Sequence, residues 1–427
     1  MKFLFKIILI LIFCPFINAS NANTLFESLN SAYFKNSKLN AERASKRLSI
    51  EEKRSSISEF LPSVTISGYV SDQDNTKTGN ESNFKPSEQS MTVEQKVFQG
   101  GSGVANFIKK KHGQNLGVFN LKKIEQEVLL DAAKVHTELL LNRKKLNINL
   151  INIDLLERQV ETDQNRLEKG EIGLTDLAQS ESSLAGASAQ LISAQNDLVT
   201  SKLNFKKIIG VKPSENIEEI KEINLNLPES LAAAYSISTS ENPDLQIALL
   251  EYKQAKLDVV IAGSALSPSA SLKYKIAEQE DFSAAIKDRT QQTVTATATW
   301  PLFSGGKNLF SLRSAQEFRN QKELLYEDKI KEVETSVANA WSKYQSSKSM
   351  LDSIRSQVKA AEIANEGITL EYESGSKRTT LEVIQSRTIL LNSRINLASS
   401  ERNYLISQFD LLSAIGRLTA HQLDLKK

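Results

Sequence analysis

The chain has 427 residues, 53 basic and 51 acidic, with a formal net charge of +2, one cysteine and three histidines. That balance offers no electrostatic footprint for nucleic acid, and a single thiol excludes a disulfide framework or a cysteine-built metal site. Beyond the first residues, no window approaches the ~20 apolar residues that a membrane-spanning helix needs.

In chain order, Met1-Lys2 and Lys6 flank a short apolar run from Ile7 to Phe13, and the small residues Ala19, Ser20 and Ala22 follow. This is a secretory signal pattern, so residues 1–22 are expected to be cleaved, after Ala22 or Ala19. Cys14 lies inside the signal behind the bulky Phe13, so neither a lipid anchor nor a thiol is expected in the mature chain. Without Lys2 and Lys6 the mature chain carries 51 basic and 51 acidic residues and is formally neutral. Any part of an exported chain that spans a bilayer without a long apolar helix must be a closed β-structure.

Residues 23–210 are expected to form one unit. After two helical stretches, Val64, Ile66 and Val70 alternate with Thr65, Ser67 and Tyr69. A polar loop through Asn75, Gly79 and Pro86 leads to Met91, Val93 and Val97. Strands are predicted over about 62–72 and 88–99. Two long helices follow, over about 101–169 and 174–210. Leu139, Leu146, Ile153, Val160 and Leu167 recur every seven residues, as do Leu177, Leu184, Leu191, Leu198 and Phe205. These are coiled-coil seams, with Ala187 and Ala194 in a second, small-residue seam. A segment over 211–228 links this unit to a second one.

Residues 229–427 repeat the plan, with strands predicted over about 268–278 and 291–303. Ala270, Leu272, Tyr274 and Ile276 alternate in the first of these, and Val294 to Trp300 carry the second. Helices are predicted over about 305–372 and 379–415. Val333, Val337, Ala340, Tyr344, Leu351 and Val358 mark one seam, and Leu381, Ile384, Leu391, Ile395, Ala398, Leu405 and Phe409 the other.

The two units are copies. Asn36 through Pro62 recurs as Asn242 through Pro268, Phe98-Gln99-Gly100-Gly101 as Phe303-Ser304-Gly305-Gly306, Gly170 as Gly375, and Ile209-Gly210 as Ile415-Gly416. Four landmarks recur in one order at offsets of 205 or 206. Four strands are too few to close a barrel, since small barrels have about eight. Three copies would supply a 12-stranded barrel, with the long helices continuing as a 12-helix cylinder.

With these residues the chain resembles the TolC-like outer-membrane factors, the family of outer membrane efflux proteins and type I secretion outer membrane proteins. The resemblance runs from about Leu25 to Leu423. It is carried by the two Phe-x-Gly-Gly motifs, by Gly170-Glu171-Ile172-Gly173-Leu174-Thr175-Asp176 and Tyr372 to Thr379, and by Asn403-Tyr404-Leu405 and Ala414-Ile415-Gly416. It implies a mainly α fold with a β-barrel part, a homotrimer of 12 strands on a 12-helix periplasmic tunnel. It also implies a passive exit for drug efflux or type I protein secretion, with a periplasmic adaptor and an inner-membrane ABC or RND transporter as partners. Outer-membrane lipid is a further implied partner, and no cofactor, metal or nucleic acid is.

The resemblance also implies site residues at the two helix reversals. Glu382 falls where the family narrows and charges the periplasmic entrance, and Gln385 stands at a second such position. Thr379-x-x-Glu382 is equally a capping box. Thr175 and Asp176 match residues that latch the tip to a neighbouring reversal, and Tyr372 with Lys377 or Arg378 matches their partners. The local alternative is Thr175 as an N-cap with Asp176 favouring the helix start. Gly170 and Gly375 are expected to end helices, and Gly100, Gly101, Gly305 and Gly306 to turn strand into helix. Trp300 and Tyr274 fit an aromatic girdle.

No HExxH or paired-ligand spacing surrounds His112, His136 or His421. Gly305-Gly306-Lys307-Asn308 lacks the phosphate-loop pattern, and no nucleophile with a matching base is visible. An enzyme is therefore not expected. The rival reading is a periplasmic coiled-coil scaffold or adaptor without a barrel, which explains the heptads but not the four alternating strands.

Overall fold

Side-chain caps start the helices. Thr24 and Glu27 form a reciprocal capping box that opens α1 (Leu25–Lys35). Asn36 opens α2 (Ser37–Ser55) by accepting from the Lys38 and Leu39 amides, the role for which its short amide side chain is favoured. The computed structural model describes residues 24–77, 80–215, 217–219, 223, 225–283, 286–374 and 378–425. The expected signal segment lies outside them.

A 3-10 turn (Ser56–Phe60) leads to strands β1 (Ser63–Val70), β2 (Gln73–Lys77), β3 (Asn80–Phe84) and β4 (Ser87–Gln99), then helices α3 (Ser102–Glu168) and α4 (Leu174–Ile209). The order recurs in α5 (Leu231–Glu241), α6 (Pro243–Ser264), β5 (Ser269–Ser283), β6 (Ile286–Thr299), α7 (Lys307–Glu373) and α8 (Thr380–Ala414). Helices α3 and α7 have 67 residues each, a length of roughly 100 Å at 1.5 Å per residue.

The duplication reaches individual atoms. Asn36 Nδ2 donates to the Ile208 carbonyl at 2.9 Å, and Asn242 Nδ2 donates to that of Ala414 at 2.8 Å. Gly100 and Gly101 have φ of +61° and +88°, and Gly305 and Gly306 repeat this at +62° and +80°. A Cβ on Gly100 would lie 2.7 Å from the Ser264 carbonyl oxygen, so close approach as well as the left-handed backbone requires glycine there.

Four strands form one antiparallel sheet in the order β1-β4-β5-β6. The two units meet at the β4–β5 ladder, which leaves β1 and β6 as edges. The structure departs from the expected strands in three places. The loop through Asn75 and Pro86 contains the β2–β3 hairpin, while Gly79 lies outside the described residues. Strands β5 and β6 also run on to Ser283 and from Ile286, through mostly polar residues in which only Phe282 and Ile286 are large and apolar, because a backbone ladder does not need apolar alternation. β6 stops at Thr299, short of the expected 303, where Pro301 has no N–H to donate.

The core lies where α1, α3, α4, α5, α7 and α8 converge, around Leu29, Leu129, Leu139, Phe205, Phe409 and Leu412, all fully buried. Away from it, the helix pairs are held by thin seams. Ser180, Ala187, Ala194 and Ser201 form a buried column on α4, and Ser386, Ser393, Ser400 and Ser407 repeat it on α8. Small side chains at seven-residue spacing let the paired helices approach closely. Leu381, expected in the α8 seam, is exposed, because Thr380, Val383 and Ile384 fill the inward positions of that turn. No helix among the described residues is long and apolar enough to cross a membrane.

Candidate functional site

Two places in this fold concentrate unusual chemistry, the sheet and the helix reversals. Period-2 alternation and the ladder register divide the sheet into two faces. One face carries Val64, Ile66 and Val70 of β1, Met91 and Val93 of β4, Leu272, Tyr274 and Ile276 of β5, and Val294 and Ala296 of β6. Ile66 is 82% exposed, Val70 79% and Val294 69%, so no layer of the described residues covers this apolar face. The other face carries Ser63, Thr65 and Ser67, then Glu88, Ser90, Thr92 and Glu94, then Lys273 and Lys275, then Thr293, Thr295 and Thr297. Cross-strand ion pairs stitch it. Lys275 Nζ lies 2.5 Å from Glu88 Oε1, with Gln279 Nε2 donating to Oε2 at 2.7 Å, and Lys273 Nζ lies 3.7 Å from Glu94 Oε2.

A sheet that is apolar on one face and polar on the other is what a barrel wall between lipid and water requires. Tyr274 falls on the apolar face. Trp300 lies just past the end of β6, where its indole N–H donates to the Leu266 carbonyl at 3.1 Å and its ring is exposed.

At the first reversal, Gly170 has φ +69° and closes α3 as a Schellman cap. The Glu171 amide donates to the Arg166 carbonyl, and that of Gly170 to Leu167, both at 2.9 Å. Gly173 is the N-cap of α4, and Asp176 Oδ2 accepts from the Gly173 amide at 3.1 Å. This corrects the local alternative for Thr175, which is not the cap but an exposed first-turn residue. Asp176 favours the helix start by bonding to it.

At the second reversal, Gly375 and Lys377 lie outside the described residues. Thr379 and Glu382 form the capping box of α8. Arg378 bridges two carboxylates, with Nε 2.6 Å from Glu371 Oε2 and Nη1 3.0 Å from Glu382 Oε1. The Thr379 amide, first, and the Arg378 guanidinium hold the Glu382 carboxyl below its usual pKa. Gln385 is exposed.

Tyr372 is buried, and it leads to a group that sequence reasoning missed. Its hydroxyl donates to Asp163 Oδ1 at 2.7 Å and lies 3.0 Å from Thr380 Oγ1. Asp163 is fully buried. Gln159 Nε2 donates to its Oδ1 at 2.9 Å, and Ser180 donates to Oδ2. Arg166 stacks on the Tyr372 ring 4.6 Å from its centroid and pairs with Glu171 at 3.1 Å. Burial, first, and the Asp163 carboxylate push the Tyr372 phenol above its ordinary pKa, so it remains a donor. One carboxylate thus ties α3 and α4 to α7, and Thr380 extends the set to α8. The signal was in the spacing. Asn142, Asn149, Leu156 and Asp163 recur every seven residues, and all are buried. They form the second seam position of α3, and three of the four are polar side chains that an apolar pattern search passes over.

Among the described residues no group of three or more His, Cys, Asp or Glu is placed to hold a metal ion.

Comparison with known proteins agrees with this architecture. The family described as Outer membrane efflux protein matches residues 29–211 and 234–417, one match in each unit. The chain is 25% identical to the outer membrane efflux protein BepC of Brucella suis over 412 residues, covering 96% of this chain and 88% of that one. It is 21% identical to the outer membrane protein TolC of Escherichia coli over 437 residues, covering 99% and 88%. The Campylobacter jejuni CmeC outer membrane channel superposes with a TM-score of 0.83 at 15% identity, covering 92% of this chain and 86% of that one. The chain belongs to the outer membrane efflux protein family.

Proposed function

We propose that this protein is the outer-membrane segment of an export system, a passive exit channel for multidrug efflux or type I protein secretion. Three copies would close the sheet by pairing β6 of one with β1 of the next, giving 12 strands. The four long helices of each copy would continue the bore through the periplasm. One observation carries this reading: a sheet with a bare apolar face and two edges that have no strand partner among the described residues. In lipid, unpaired backbone groups at such edges cost several kcal/mol each, and closure between copies removes that cost. The exposed Ile192, Val199 and Leu203 of α4 support the same assembly, since they offer an apolar stripe to a neighbouring helix.

A periplasmic adaptor and an inner-membrane ABC or RND transporter would supply docking and energy, and the chain itself would catalyse nothing. At the tip, Glu382 would charge the entrance. Arg378 is shared with Glu371 in the same chain, so each chain would bring one net negative charge to the entrance. For the latch, Thr175 and Asp176 would face a neighbouring reversal, with Arg378 the described basic candidate. The Asp163–Tyr372 pair would hold the two helix pairs of one chain together.

The deciding experiment is the native mass of the protein extracted in detergent from outer membranes. A trimer is expected. A soluble monomer or dimer would overturn the channel and restore the coiled-coil scaffold. Deleting 63–99 is expected to abolish membrane insertion, whereas a scaffold would stay folded and soluble.

A further inference from the structure

The polar face of the sheet is not electrically balanced. Among its ladder-paired residues it carries two carboxylates, Glu88 and Glu94, and each is engaged by a lysine of the neighbouring strand, Lys275 and Lys273. Two further cations of paired residues share the face, and beside Arg289 the irregular end of the hairpin adds one more cation, Lys287, and one acid, Asp281. Lys96 stands two residues beyond Glu94 on β4, opposite Ser271, and is exposed. Arg289 of β6 stands opposite Gln279, with its guanidinium 5.1 Å over the Phe282 ring. Neither faces a carboxylate across the ladder. The remaining acids of that hairpin's paired residues, Glu278, Glu280 and Asp288, alternate onto the opposite face. β1, the strand that would close against a neighbour's β6, brings only Ser63, Thr65, Ser67 and Tyr69 to the polar face.

Resting on the exit-channel reading, we propose that the barrel bore carries two positive collars, one of Lys96 and one of Arg289, which favour anionic solutes as cargo. Their partners on β5, Ser271 and Gln279, are eight residues apart, so the collars are roughly 27 Å apart at 3.3–3.4 Å per residue. At 0.1 M salt the screening length is about 10 Å, so each collar acts by itself. Between them the wall offers hydroxyls, from Thr92, Thr293, Thr295 and Thr297, and the two internally neutralised ion pairs. An anion would meet attraction at both ends of the wall and hydrogen-bond donors along it. A cation would meet two barriers.

The test is planar-bilayer recording of the full-length protein in a KCl gradient centred near 0.1 M, comparing wild type with Lys96→Gln, Arg289→Gln and the double substitution. The reversal potential is expected to shift toward potassium in each single variant and further in the double. Lys96→Glu should shift it further than Lys96→Gln. The shifts should shrink near 1 M salt, where the screening length is about 3 Å. Variants that conduct normally with an unmoved reversal potential would overturn the collars and leave the channel standing. Wild-type protein that forms no trimer and no conductance would overturn the channel itself.

Discussion

Replacing Asp163 by alanine should loosen the helical tip without unfolding the protein. The carboxylate accepts from Tyr372, Gln159 and Ser180. After its removal Tyr372 keeps Thr380 at 3.0 Å and Ser180 keeps the Asp176 carbonyl at 3.3 Å. The Gln159 amide has no such substitute in its buried position. An orphaned buried donor costs about 1–3 kcal/mol, and hydrogen bonds to a charged group contribute about 1.5–3 kcal/mol each. Allowing for the bonds that survive, the net loss is about 3 kcal/mol, confined to the last turns of the helices. At about 1.4 kcal/mol per decade, amides near the tip should exchange roughly a hundredfold faster. Asp163→Asn keeps the shape and the Oδ1 acceptor, and the Ser180 hydroxyl can rotate to accept. It should cost about 1 kcal/mol. Hydrogen–deuterium exchange on peptides spanning 156–182 and 366–384 reads both, with peptides around Leu129 as an internal control. If alanine leaves the tip peptides exchanging at the wild-type rate, the clasp reasoning is wrong.

Three further outcomes follow from the geometry. Glu382→Gln should move the reversal potential toward anions and Arg378→Gln should move it by a similar amount toward cations, because each changes by one unit the single net negative charge of the Glu371–Arg378–Glu382 cluster. His136 is fully buried, bonded at 2.8 Å to Ser28, and burial depresses its pKa to about 4. The unfolded chain therefore binds the proton first. Stability should fall as pH drops from about 6.5 to about 4, by about 3 kcal/mol in full, and His136→Leu should flatten that part of a urea-denaturation pH series. Gly416→Ala should cost more than Gly170→Ala. Both sit at positive φ, but a Cβ at 416 would lie 2.3 Å from the Glu241 carbonyl oxygen and one at 170 meets nothing within 4 Å. The alanine at 170 should cost about 1 kcal/mol in thermal-melt comparisons and that at 416 about 3 kcal/mol.

The features legible in the sequence obey local rules. Heptads fixed the helix pairs because a seven-residue period survives any context, and paired glycines marked both strand-to-helix turns because left-handed backbone demands them. The four strands were legible through apolar residues on one face. Their true lengths were not, since 279–290 are mostly polar and Phe282, Ala284 and Ile286 make too short a run to mark two strands. The β2–β3 hairpin was hidden for the same reason. At the tip, Glu382 as a capping residue was visible three residues after Thr379, but Asp163 was not. A lone aspartate on a charged helix resembles any solvated residue, and only its place in the Asn142–Asn149–Leu156 column shows that it points inward. Contacts between helices far apart in sequence, such as Asp163 with Tyr372, have no local signature at all.

The edges β1 and β6 also impose a law of timing. A chain that has folded but met no partner displays two rows of hydrogen-bonding groups beside an apolar face, the combination that templates indiscriminate strand addition. Completing the structure is a collision problem, with a rate that climbs steeply with chain concentration, while the competing aggregation climbs with it. Diluting the chain during refolding should slow the productive and the wasteful route alike, and a carrier that masks those edges until chains meet would separate the two.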